Sequence, residues 1–212
     1  MLPPLLQTLE EIGFKVYDGG HAFNLNIVGI RSSTRDQSED QFDDLITCTY
    51  REEKGGRWIT KSWAATTDPG AMALRFPEMY NADGTAIIAR GQYQSAYVLG
   101  LHSNRYEALV ARGPKPITIY RDADRDLILE FQEETKETGY FGTNIHKAGK
   151  DSRKISGINS RTGKKYTYSA GCQVFKKERD FLELMDLCHL QIEHHPTWKT
   201  FSYSLIDEED IA

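Results

Sequence analysis

Short apolar runs with a period of two dominate this sequence, and they limit what it can fold into. FNLNIVGIR alternates and is rich in branched residues. LITCTYRE and RWITKSWAA flank Lys54-Gly55-Gly56, a hairpin signal. TAIIARGQYQSAYVLGL reads as one or two strands broken at Gly91, and ITIYRDADRDLILEF as a hairpin with charged residues between two apolar runs. FGTNIHKA reads as a strand end, YTYSAGCQVF as a strand, a turn and a new element, and TFSYSLID as a final strand. Helical spacing appears in two places. PPLLQTLEEIGF carries Leu5, Leu6, Leu9 and Ile12 and stops at Gly13; ERDFLELMDLCHLQIEHH carries Phe181, Leu182, Leu184, Leu187 and Leu190. TTDPGAMAL reads as a turn and YEALVAR as a short helix or turn. The expectation is one mainly β domain (α+β) over 1–212, with a helix and lead-in over 1–24 and an acidic tail over 207–212.

Composition narrows the function. The chain has 212 residues, 39% hydrophobic and 27% charged, enough to bury a core without disulfides or metal. A net charge of −5 argues against a nucleic-acid partner. Cys48, Cys172 and Cys188 give no disulfide framework and no zinc ribbon. The N-terminal apolar run is cut by Gln7, Glu10 and Glu11 and has no basic flank, and no run is long enough for a membrane span. These features predict a soluble product without a signal peptide, cytoplasmic as synthesised, that would reach an outside target by lysis or in a virion.

One cysteine stands apart. In YSAGCQVF, Cys172 follows a glycine and precedes a short apolar run. A cysteine nucleophile needs a base or aimed N–H groups, and a preceding glycine permits a tight backbone and close approach of a carbonyl. Gly171 and Cys172 N–H groups are candidate oxyanion donors, and His146 in GTNIHKAG is the candidate base. A core cysteine is the alternative reading.

Together, NIHKAG and YSAGCQVF resemble the L,D-transpeptidase catalytic domain (YkuD-type). Ile145-His146 matches that family's Ile-His-Gly-Thr-like segment, and Ser169, Gly171 and Cys172 match its Ser-His-Gly-Cys segment. Gly91-Gln92-Tyr93 faintly matches its Gly-x-aromatic stretch. The resemblance spans roughly Thr85 to Phe175 in element order, with about six specific positions. Lys147-Ala148, Ala170 and Gln173-Val174 depart from it, and the 26-residue gap from His146 to Cys172 is longer than typical. The resemblance implies a β-sandwich or barrel flanked by N- and C-terminal helices. It also implies a cysteine acyl-enzyme, peptidoglycan stem peptides as substrate and no cofactor. Ser169, Asn144, His102, Gln92 and Tyr93 are candidate substrate contacts, and Asn144 or a backbone carbonyl would orient His146.

Between His146 and Ser169 lie seven basic residues and one acid, Asp151. The segment 147–168 therefore reads as a basic flap, made mobile by Gly149, Gly157 and Gly163, with Lys164 and Lys165 attracting substrate carboxylates. CHLQIEHH matches no compact zinc motif, and no metal is expected. RDADRD has Leu127 where a calcium loop needs glycine, and reads as a polar turn. No GxSxG elbow is present. Two rival classes stand beside the enzyme: a non-catalytic binding or structural module with a degenerate transpeptidase fold, favoured by Ala170 and Val174, and an intracellular cysteine hydrolase acting on another amide.

Overall fold

The computed structural model describes residues 1–211. Three helices form, α1 (Pro4–Glu11), α2 (Ala71–Arg75) and α3 (Glu178–His194). Thirteen strands follow the chain: β1 (Asn26–Arg31), β2 (Asp44–Tyr50), β3 (Ile59–Thr66), β4 (Thr85–Ile88), β5 (Gly91–His102), β6 (Tyr106–Val110), β7 (Ile117–Asp122), β8 (Glu137–Gly139), β9 (Ile145–Lys147), β10 (Ser156–Ile158), β11 (Lys165–Thr167), β12 (Gln173–Phe175) and β13 (Thr200–Asp207). Eight of them close a barrel in the order β1-β13-β5-β6-β9-β12-β3-β2. Closure leaves that sheet no free edge. β4-β7-β8 and the hairpin β10-β11 are separate small sheets.

Alternation explains the barrel core. Ile46, Tyr97, Leu109, Ile145, Phe175 and Tyr203 share one buried cluster, into which α3 lays Phe181, Leu184 and Cys188. Gln173 is also inside. Its side chain accepts a 2.6 Å hydrogen bond from Tyr203 Oη and donates to Thr67 O at 3.0 Å, so its burial leaves both amide atoms satisfied. Gly29 is needed on β1: a Cβ there would fall 1.8 Å from Tyr203 Oη.

Three local expectations change, and the acidic tail gains partners. YEALVAR is β6, because Ser103 and Asn104 take left-handed backbone and fold it back on β5. TTDPGAMAL contains α2. The apolar run after RDADRD is not a strand: β7 pairs with β4 and β8 instead, and Ile128 makes only an isolated bridge with Asp36. The acidic tail is tied down, since Arg90 donates to both carboxylate oxygens of Asp210 at 2.8 and 2.7 Å and Ser33 N–H donates to Glu208. Among the described residues no helix is long and apolar enough to cross a membrane.

Candidate active site

β9 and β12 run side by side and parallel, with Ile145 opposite Gln173 and His146 opposite Val174. Ile145 and Phe175 point into the barrel, so by alternation His146 and Val174 face outward, and Cys172, just before β12, packs with Val174 outside the barrel core. One strand spacing across and two residues along separates the Cα atoms of His146 and Cys172 by roughly 8 Å. Parallel pairing therefore brings together two residues that are 26 apart in sequence.

The turn before Cys172 requires glycine. Gly171 has φ +113°, and a Cβ on it would lie 2.6 Å from Ala86 O. Ser169 fixes the same turn. It is fully buried; its hydroxyl donates to Cys172 O at 2.8 Å and accepts Gly171 N–H at 3.3 Å. Ser169 is thus a support for the cysteine, since burial removes it from any substrate surface. Gly171 N–H, expected as an oxyanion donor, is spent within the turn.

The resting thiol is not paired with the imidazole. Cys172 Sγ donates to Gly142 O at 3.3 Å. Burial pushes its pKa up to about 11, and only the Asn144 backbone N–H pulls it down. His146 is 3% exposed, and burial, then the neighbouring His102, lowers its pKa to about 3. Its Nδ1 lies 2.8 Å from Lys147 O. A carbonyl only accepts, so Nδ1 carries the proton and Nε2 keeps its lone pair. Nε2 is buried with no hydrogen-bond partner. The Tyr168 carbonyl favours the charged ring without reaching hydrogen-bond geometry, as Nε2 is unpaired. Two neutral groups on one outer face can act as an acid and a base only if the thiol turns from Gly142.

A backbone carbonyl therefore orients His146, and Asn144 does not. Asn144 accepts Ala111 N–H at 3.0 Å and donates to His102 Nδ1 at 3.1 Å. Tyr106 completes the cluster: its Oη lies 3.2 Å from both His146 Nδ1 and Lys147 O. The sequence held one signal for Tyr106. Ser103-Asn104 between two apolar runs is a turn pair that sets His102 opposite Tyr106.

The basic segment faces the same region. A cleft of about 1030 Å³ has His102, Tyr106, His146, Lys164, Lys165 and Tyr168 in its walls, whereas Cys172 is outside them. Lys165 Nζ sits 3.3 Å from the Phe76 ring centroid. The segment is anchored: Ser156 donates to Asp40 through N–H and hydroxyl at 2.8 and 3.0 Å, and Met72 N–H donates to Ser156 Oγ at 3.1 Å. Gln92 and Tyr93 are not brought to this site. Gln92 bonds Lys15 and Ser204, and Tyr93 is core, its hydroxyl donating to Ala89 O and Thr118 O. Among the described residues no group of three His, Cys, Asp or Glu side chains is placed to hold a metal ion. Comparison with protein-family models, curated proteins and solved structures returned no match for this chain.

Proposed function

We propose that the chain is a cysteine acyl-transfer enzyme of the L,D-transpeptidase type, acting on peptidoglycan stem peptides. The observation that carries this reading is the tautomer and burial of His146: Nδ1–H is held by Lys147 O, and an unpartnered Nε2 lies on the same outer face as Cys172. Substrate entering beside Cys172 would displace the thiol from Gly142 O. The sulfur then attacks the stem-peptide carbonyl while His146 Nε2 takes its proton. The tetrahedral oxyanion needs an N–H donor, and Cys172 N–H is the remaining candidate. Collapse breaks the C–N bond, the imidazolium returns its proton to the leaving amine, and a thioester remains. Water then releases an acid; an amine forms a new amide.

Lys164 beside the cleft supplies positive charge for the carboxylates of such a substrate. The alternative is a non-catalytic binding or structural module. It is favoured by the bond from Cys172 Sγ to Gly142 O and by a thiol whose pKa is raised. The deciding experiment is mass spectrometry of purified muropeptides incubated with wild type, Cys172→Ala and His146→Ala. Tetrapeptide and pentapeptide stems are both offered. Products from wild type alone support the enzyme, and their masses separate hydrolysis from transfer. Identical spectra in all samples sink it in favour of the non-catalytic module or a hydrolase of another amide.

A further inference from the structure

A second cavity lies apart from the cysteine. It has a volume of about 800 Å³ and shares no wall residue with the cleft beside His146. Its walls come from the lead-in after α1, the bulged middle of β5 and the start of β13, and include Tyr17, Asn24, Ser95, Thr197, Trp198 and Ser202.

Three features show that this cavity is built. The first is an aromatic platform. Trp198 stacks on His195 at 4.0 Å with planes 21° apart, and His21 meets its edge at 5.3 Å. His195 Nε2–H donates to Ala22 O at 2.7 Å, and Trp198 N–H donates to His195 O at 2.8 Å. Gln191 on α3 donates to Trp198 O at 3.4 Å. Trp198 is only partly buried and lines the cavity.

The second is backbone strain. Ser95 has φ +54° within β5, and the β5–β13 register shifts between Phe201 and Tyr203. A non-glycine residue in the left-handed region of a strand is held there by its surroundings, and such bulges re-aim side chains beside binding sites. Here the bulge turns Ser202 so that its Oγ accepts Ser95 N–H at 3.0 Å and lies 2.6 Å from Tyr17 Oη.

The third is the kind of polar group. Short hydroxyl and amide side chains line the cavity alongside Trp198. The few charges are mixed, with Lys15 against Glu10 and Asp18, and give no strong field to select an ion. A pyranose has an apolar C–H face that stacks on an aromatic ring and a rim of hydroxyls that pair with such groups.

We propose that this cavity is a saccharide subsite that takes a neutral oligosaccharide, with Trp198 as its stacking platform. It goes beyond the cysteine chemistry and does not need that reading to hold. The test is isothermal titration calorimetry of wild type and Cys172→Ala with chitotetraose, cellotetraose and, as an anionic control, tetragalacturonate. Both proteins are expected to bind at least one neutral tetramer saturably and equally. Trp198→Ala should weaken it by at least about tenfold, a loss of roughly 1.4 kcal/mol. Thr197→Arg, at the exposed mouth, should do the same without touching the core, and Lys164→Gln should change nothing. The proposal is overturned if neither neutral tetramer binds, if tetragalacturonate binds more tightly than both, or if Trp198→Ala and Thr197→Arg bind like wild type. Calorimetry reads binding without turnover, so failure here and failure to cut muropeptides are separate results.

Discussion

The imidazoles of His102 and His146 lie stacked, with centroids 3.9 Å apart and planes 24° from parallel. Two rings this close cannot both be charged at low cost. His102 is held by Asn144 and is itself shifted down by burial and by Arg105; burial first, and then the neighbouring His102, keep His146 a neutral base. His102→Phe should preserve the stack, remove the like charge and raise the His146 pKa. His102→Ala should raise it further by admitting water. NMR titration of the His146 ring reads both shifts; an unchanged midpoint in both variants would refute the coupling.

Alkylation should report the state of the thiol. Cys48 and Cys188 are fully buried, so iodoacetamide should label Cys172 first in the folded protein. With its pKa pushed up to about 11, labelling should climb steadily through the alkaline range and show no plateau below pH 8. His146→Ala should leave that profile almost unchanged, because the resting sulfur is bonded to Gly142 O. A wild-type plateau near neutral pH that His146→Ala removes would instead mean a thiolate–imidazolium pair at rest.

Gly171→Ala should damage both stability and site. The φ of +113° is strained for any side chain, at about 1–3 kcal/mol, and the new Cβ meets backbone at Ala86. Ser169→Ala should have a milder effect, loosening the turn by losing one bond to Cys172 O and one from Gly171 N–H. Chemical denaturation with alkylation kinetics checks this. Wild-type values in Gly171→Ala would rule out the positional requirement.

The ion pair of Arg31 and Asp68 is buried, at 2.8 Å, and Arg31 also donates to Ile88 O at 2.9 Å. Asp44 and Asp207 also act on Arg31, but of these acids Asp68 alone is hydrogen-bonded to it; losing that partner leaves the buried guanidinium under-compensated, so Asp68→Ala should destabilise by about 3 kcal/mol. The double variant Arg31→Met/Asp68→Leu should recover much of that loss. Urea unfolding of the three proteins separates the outcomes.

Asp122 gives a pH test. Burial, then nearby acids, raise its carboxyl to about 7, against only one weak bond from Glu130 N–H. A raised acid means that the folded state holds the proton more tightly. Its stabilising contribution is complete below about pH 4 and is lost as pH rises towards 7. Asp122→Asn lacks that loss, so it should gain on wild type between those limits in thermal unfolding. A constant difference across the range would contradict the assignment.

The residues themselves announced much of this protein. Period-two runs gave β1, β2, β3 and β13, and the leucine spacings gave α1 and α3, because side-chain periodicity is a local property of the backbone. Gly171 before Cys172 was legible as a special turn because glycine's access to positive φ is also a local property. Strand partners were not legible. Nothing near His146 in the sequence says that β9 lies parallel to β12, or that β6 lies on its other side, since pairing between distant segments is settled by closing the barrel around one core. The charge states followed from that closure: burial beside His102 makes His146 neutral, and the Gly142 carbonyl, 30 residues before Cys172, accepts a hydrogen bond from a thiol that keeps its proton. Ser169 moved from substrate contact to buried support, and Gln92 and Tyr93 left the site, because a residue's exposure depends on what packs over it. The sequence determined which residues could do chemistry and which segments would be strands. Tertiary structure decided which of those residues meet, since burial and hydrogen bonding are set by neighbours far away in the chain.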